Sequence, residues 1–246
     1  MNPVTDSSDE VSIQREYYAR TAQAYDSMHV DDEHEHHFAL CLMMGALDFL
    51  QVKSVLDIGS GTGRAIRWIK QHRPDIVVRG IEPVEELRKV AYAHGVSETE
   101  LVPGDALALG FANGEFDLVC EFGVLHHIKT PDMAVAEMLR VAKKAVFISD
   151  SNNFGQGGRA SRYIKQTLHS CGLWPLANLI KTKGKGYTIS EGDGLAYSYS
   201  VFNNYDQIRQ QCESVHLINT VPAGIDPYRA SSHVALLGIK NRQNSP

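Results

Sequence analysis

The chain of 246 residues lacks a basic excess: 24 Lys and Arg stand against 29 Asp and Glu, a net charge of −5. That balance speaks against nucleic acid as a partner. It also lacks any apolar run of about 18 residues, so no membrane span is expected. Its first residues, MNPVTDSSDEVSIQREYY, have neither the basic start nor the apolar core of a secretory signal. Only four cysteines occur (Cys41, Cys120, Cys171 and Cys212), and none forms a CxxC pair. Scattered in this way, they predict reduced thiols in a cytoplasmic protein, not a disulfide framework. There is no internal repeat and no low-complexity linker. Residues 1–246 are therefore read as one α/β domain, long enough to bury a full core.

What is present is alternation. Strand-like segments at Val55–Ile58, Val77–Ile81, Leu101–Val102, Phe116–Glu121 and Ala145–Ser149 take turns with helix-like segments at Thr62–Gln71, Val84–His94 and Pro131–Ala142. Short connections between them imply right-handed crossovers and a parallel sheet. Towards the end, a helix candidate at Tyr205–Glu213 precedes two strand-like runs, SVHLINTVPAG and SSHVALLGIK, with no helix predicted between them. They predict an antiparallel hairpin at one sheet edge. Residues 1–50 form a helical extension before this core, and residues 151–200 an insertion after the fifth strand.

The most informative stretch is SVLDIGSGTGRAIRWI, residues 54–69. The dinucleotide fingerprint G-x-G-x-x-G needs its third Gly for close helix–strand contact. Here Gly59 and Gly61 fit, but Arg64 stands at the third position and Gly63 precedes it. Glu82 ends the second strand, where a carboxylate accepts from ribose hydroxyls. Asp105 ends the third strand, where an acceptor faces a base and reads an adenine amino group. These residues alone leave a nicotinamide dinucleotide and another adenosine-containing cofactor both open.

The segments VLDIGSGTG, GIEPVEE, VPGDALAL and FDLVCEFGVLHHI resemble the successive motifs of class I S-adenosylmethionine-dependent methyltransferases. The group most resembled includes the quinone-biosynthesis enzymes. The match runs in order over about residues 52–150, and YYARTAQAYD resembles the segment that caps the cofactor in that group. The resemblance implies a Rossmann-like three-layer sandwich, with a seven-stranded, mostly parallel sheet whose last strand is antiparallel. It implies a small-molecule methyl acceptor, with oxygen favoured as the methylated atom. It implies that the loop Gly59–Gly63 passes the methionine part of the cofactor. Asp57 and the backbone near Gly59 and Ser60 hold the ammonium group there, as do the carbonyls of Glu121 or Phe122. Glu82 with Pro83 takes the ribose, and Asp105 with Ala106 the adenine. Tyr17, Tyr18 and Tyr25 sit in the cap, where a ring gives cation–π contact to a sulfonium or simply packs. The rivals are a non-catalytic cofactor-binding module and an NAD-dependent oxidoreductase.

His126 and His127 follow the fourth strand, where the reactive methyl should lie. An imidazole there can take a proton from a hydroxyl, or can serve as a structural anchor. No metal site is expected. His34, His36 and His37 in DDEHEHHFAL cannot all point one way from a single helix. Glu121 and Asp150 sit where metal-dependent O-methyltransferases carry carboxylates, but Ser151 replaces the Asn of those enzymes. The stretch KTKGKGYTISEGDGLAYSYS, residues 181–200, reads as a movable acceptor lid. Its glycines weaken regular structure, and Tyr187, Tyr197 and Tyr199 offer flat contact area.

Overall fold

The computed structural model describes residues 7–26, 35–222 and 226–240. Seven strands form one sheet: β1 (Ser54–Ile58), β2 (Val77–Ile81), β3 (Leu101–Val102), β4 (Phe116–Phe122), β5 (Ala142–Ser151), β8 (Ser214–Asn219) and β9 (His233–Ile239). Their order is β3-β2-β1-β4-β5-β9-β8. The pairs from β3 to β5 are parallel. β9 runs antiparallel between β5 and β8. The predicted edge hairpin is therefore β8–β9, and a one-turn helix, α9 (Pro227–Ala230), interrupts its connection.

Helices cover both faces. On one, α2 (Glu35–Phe49) buries His36, Ala39, Leu40, Met43 and Leu47, the stripe of an amphipathic helix. It joins Ala65, Ile66 and Ile69 of α3 (Arg64–His72) and Ala91 of α4 (Glu85–Ala93) in one core layer. On the other face, Ala134, Val135, Met138 and Leu139 of α5 (Pro131–Val141) meet Ile208 of α8 (Tyr205–Arg209) over Leu56, Val119 and Ile148. The three-layer α/β sandwich is the predicted fold.

The insertion differs from its expectation. It holds two helices, α6 (Arg159–Ser170) and α7 (Trp174–Lys181), and a two-stranded hairpin of β6 (Tyr187–Ser190) and β7 (Gly194–Tyr197). The glycines do not dissolve it. Gly184, Gly186 and Gly194 have positive φ, so they bend the chain at or beside the strand ends. Gly194 also lets the hairpin touch α1 (Ser7–Thr21): a Cβ there would lie 2.7 Å from the Tyr17 ring. Tyr17 Oη donates to the Glu191 carbonyl at 2.7 Å, and Tyr197 Oη to Glu10 at 2.8 Å. The N-terminal helix and the hairpin thus form one clasp across the carboxyl ends of the strands.

Candidate functional site

The loop after β1 explains its own glycines. Gly59, Gly61 and Gly63 all have positive φ, which an L side chain resists. At Gly59 a Cβ would also fall 2.5 Å from Val124, and at Gly63 2.8 Å from Val96. Arg64 then opens α3. The residue that breaks the dinucleotide pattern is half-buried and lines the cavity beside Tyr25. Tyr25, Asp57, Asp26 and Glu35 lie nearby; we expect its guanidinium, at the cavity wall, to meet the carboxylate of an amino-acid ligand in place of part of that acidic surround. Sequence reading passed over that role.

Glu82 is buried at the end of β2 and accepts from the Gly61 and Val84 amides at 3.0 and 2.9 Å. Those two bonds use half of a carboxylate's roughly four acceptor positions, which leaves room for two hydroxyl donors. Burial pushes its pKa up to about 7, against the pull of those amides. Asp57, deep in β1, rises to about 7 for the same reason. The Ser60 hydroxyl donates to the Asp57 carbonyl at 3.0 Å and braces the loop. Pro83 and Ala106 follow these two strand ends in sequence. Asp105 accepts from the Leu107 amide and pairs with Arg15 of α1 at 3.3 Å. The helix therefore reaches the carboxylate that follows β3, and Tyr25 lies over Gly61. Tyr17 points into the clasp, whereas Tyr18 and Tyr25 line the cavity.

That cavity, about 430 Å³, opens between the β4 end and the insertion. Phe122, Gly123 and His126 border it from β4 and the turn after it, and Ser151 and Asn153 from the end of β5. Asn178 and Thr182 face it from α7 and its end, and Tyr187, Asp193 and Ser198 from the hairpin region. Glu121 lies beneath: one oxygen accepts from Val124 at 2.8 Å, while its buried Oε1 has no hydrogen-bond partner. Burial first, then the neighbouring Asp150 charge, holds its pKa well above the usual carboxylate range.

The two histidines divide. His126 Nδ1 lies 2.6 Å from Asp150 Oδ1, and its Nε2 3.2 Å from Asp193 Oδ2. Burial alone would lower its pKa, but the two carboxylates outweigh it and hold the ring protonated. Asp150 is correspondingly low, at about 2: burial opposes this, and the His126 charge prevails. His127 is lowered by burial and by the charge on His126. Its Nδ1 meets the Leu195 carbonyl at 2.6 Å, and its Nε2 the Tyr18 hydroxyl at 2.8 Å. Asp193 escaped sequence reading because it lies more than 60 residues from the histidines, in a turn with no motif. Of the histidines in DDEHEHHFAL, His34 lies outside the described residues, His36 bonds Ser149 at 2.9 Å, and His37 rests on Trp68.

The comparisons with known proteins agree with this geometry. Residues 56–148 match the family described as methyltransferase domain. Norajmaline N-methyltransferase of Rauvolfia serpentina is 35% identical over 96 residues, which are 37% of this chain and 32% of that protein. Demethylmenaquinone methyltransferase of Renibacterium salmoninarum is 31% identical over 106 residues, 42% of each chain. The chain thus spans less than half the length of these curated relatives. A solved structure of Burkholderia thailandensis 1,6-didemethyltoxoflavin-N1-methyltransferase, with that compound and S-adenosylhomocysteine bound, superposes with a TM-score of 0.61. The two are 15% identical over 98% of this chain and 93% of that one. A possible histamine N-methyltransferase from Thermotoga maritima gives 0.58 at 18% identity, over 92% of this chain and 99% of that one. Residues 56–148 thus match a methyltransferase domain, and the chain has the same fold as these solved methyltransferase structures. Among the described residues no helix is long and apolar enough to cross a membrane.

Proposed function

We propose that this protein is an S-adenosylmethionine-dependent methyltransferase that acts on a polar, hydroxyl-bearing small molecule. The observation that carries the reading is the buried Glu82 carboxylate beside the Gly59–Gly63 loop, with the polar cavity at the end of β4 next to it. The residues fit the cofactor. Glu82 keeps free acceptor positions for ribose hydroxyls, Arg64 offers a cation for the amino-acid carboxylate, and Tyr25 roofs the loop. When bound, the cofactor supplies an electrophilic methyl on a sulfonium. The protein's part is to orient both ligands and exclude water under the clasp of α1 and the hairpin.

Oxygen is the favoured methyl acceptor, because Ser151, Asn153, Tyr187 and Ser198 offer hydrogen bonds suited to hydroxyls. His126 is held between Asp150 and Asp193 with both ring nitrogens engaged, so it orders the cavity edge instead of serving as a free base. Residues 181–200 act as the acceptor lid. The four cysteines are free, which fits a reducing, cytoplasmic setting.

The test is calorimetry with S-adenosylhomocysteine and NADH side by side, followed by transfer of labelled methyl from S-adenosylmethionine to candidate polyhydroxy acceptors. Binding of S-adenosylhomocysteine alone supports the reading. Binding of NADH alone would replace it with the oxidoreductase, and cofactor binding without transfer to any acceptor would favour a non-catalytic module.

A further inference from the structure

The geometry points to a divalent metal site formed by His126, His127 and Asp193 at the edge of the acceptor cavity. The ligand atoms of these three side chains all lie within 4.8 Å of one another. Asp193 places one carboxylate oxygen 3.2 Å from His126 Nε2 and the other 3.5 Å from His127 Nε2. Ligands about 2.0–2.1 Å from a tetrahedral ion are separated from each other by roughly 3.3 Å. The two separations from Asp193 are close to that spacing, and the two rings need only a small adjustment to close the third.

The outer nitrogens are arranged to match. A metal-bound histidine commonly donates its far N–H to a carboxylate or a backbone carbonyl, which fixes the ring and the tautomer. Here His126 Nδ1 meets the buried Asp150, and His127 Nδ1 lies between the Leu195 carbonyl at 2.6 Å and the Gln14 side-chain amide nitrogen at 3.0 Å. Both Nε2 atoms are thereby aimed at the same carboxylate. A proton can bridge one of them to Asp193. Two protonated rings with centroids 3.9 Å apart would repel, and one shared cation serves both nitrogens. Asp193 and Asp150 together balance two positive charges. Tyr18 Oη, 2.8 Å from His127 Nε2, is the group an ion would displace.

Two nitrogens and one carboxylate suit zinc, cobalt, manganese or iron better than magnesium or calcium. Three protein ligands leave a position open, and His126 and Asp193 both border the cavity. An acceptor hydroxyl held there by such an ion would be polarised and would give up its proton more readily to solvent water. This role rests on the methyltransferase reading; the metal site itself does not.

The test uses full-length protein stripped with a chelator and titrated with Co²⁺ and with Zn²⁺, by calorimetry and by the visible absorption of cobalt. The expected result is one equivalent bound. Asp193→Asn and His126→Gln should each weaken it about a hundredfold or more, and Asp150→Asn about ten- to a hundredfold. Asp193 is about half exposed in a hairpin turn, so its variant should fold. Retained binding of S-adenosylhomocysteine would show that it has. No uptake of either ion, or unchanged affinity in both ligand variants, would overturn the site. Metal binding without S-adenosylhomocysteine binding would instead overturn the methyltransferase reading and leave the site standing.

A different observation supports a second inference. Helices α6 and α7 contain no buried residue. Tyr163, Ile164, Leu176, Leu179 and Ile180 on them, and Leu173 between them, face solvent, the most open at 73%. Residues 159–190 hold six Lys or Arg and no Asp or Glu, in a chain that is acidic as a whole. We infer that this face rests on the surface of an anionic phospholipid bilayer, with its apolar side chains in the headgroup layer and Arg159, Lys181, Lys183 and Lys185 against the lipid charge. Asn178 and Lys181 of α7 also border the cavity, so an acceptor could enter from that surface.

Sedimentation with vesicles of phosphatidylcholine alone, and of phosphatidylcholine with phosphatidylglycerol, tests it. Binding only to the acidic vesicles, weakened by salt and reduced about tenfold or more in Leu176→Glu/Ile180→Glu, is the expected result. Absence of vesicle binding, or self-association removed by the same substitutions, would overturn it.

Discussion

At the scale of single residues, the site is governed by what burial does to carboxylates. Glu82 ionises in the folded protein near pH 7 instead of at its ordinary 4.5. A raised acid destabilises the folded state as it ionises, so Glu82 contributes a loss of stability as pH rises from 4.5 towards about 7. Ligand binding runs the other way, because ribose hydroxyls need the ionised acceptor. The affinity for S-adenosylhomocysteine should therefore fall as pH drops below about 7, and Glu82→Gln should flatten that profile. Calorimetry across this range decides it. At one pH near neutrality, Glu82→Ala should cost about 1.5–3 kcal/mol of binding, or roughly ten- to a hundredfold. Gly63→Ala makes a stability test. A side chain at φ +76 beside Val96 should cost roughly 1–2 kcal/mol, lowering Tm by about 2–8 °C in a thermal melt.

At the scale of elements, the two hydroxyl bonds that join α1 to the hairpin can be removed without altering the residues proposed to hold the cofactor. Tyr17→Phe with Tyr197→Phe removes two bonds between α1 and the hairpin. Tryptic cleavage at Lys183 and Lys185 should accelerate. The KM for the acceptor should rise while affinity for S-adenosylhomocysteine stays within about twofold. Unaltered proteolysis would mean that the hairpin is held elsewhere. The elements of the core were legible because each announces itself locally. Alternating apolar runs, three glycines that need positive φ and acids at strand ends fall within about 70 residues of sequence. The insertion was not. α6 and α7 bury nothing, so no apolar stripe faces a core, and the hairpin's glycines read as breakers when they are hinges between strands. Asp193 could not be placed for the same reason: only the β6–β7 turn, docked on α1, carries it to the histidines. Even so, the first histidine of the HH pair after β4 borders the cavity.

For the whole molecule, ligand binding and stability are linked. S-adenosylhomocysteine at about a hundred times its Kd should add about 2.7 kcal/mol, or roughly 5–10 °C in Tm, with no shift from NADH. The position of β9 has a further consequence, felt during synthesis. Its residues 233–239 pair with Ala145–Ser151, so an inner seam of the sheet stays open until nearly the last residue of that strand has left the ribosome. Until then β5 presents a bare edge rich in Val, Phe and Ile, the kind of edge that recruits other chains. A chain stopped before His233 should therefore pellet on expression instead of accumulating as a shorter soluble domain. Quality control of this protein thus depends on β9, and a premature stop before it would be as damaging as one in the Gly59–Gly63 loop.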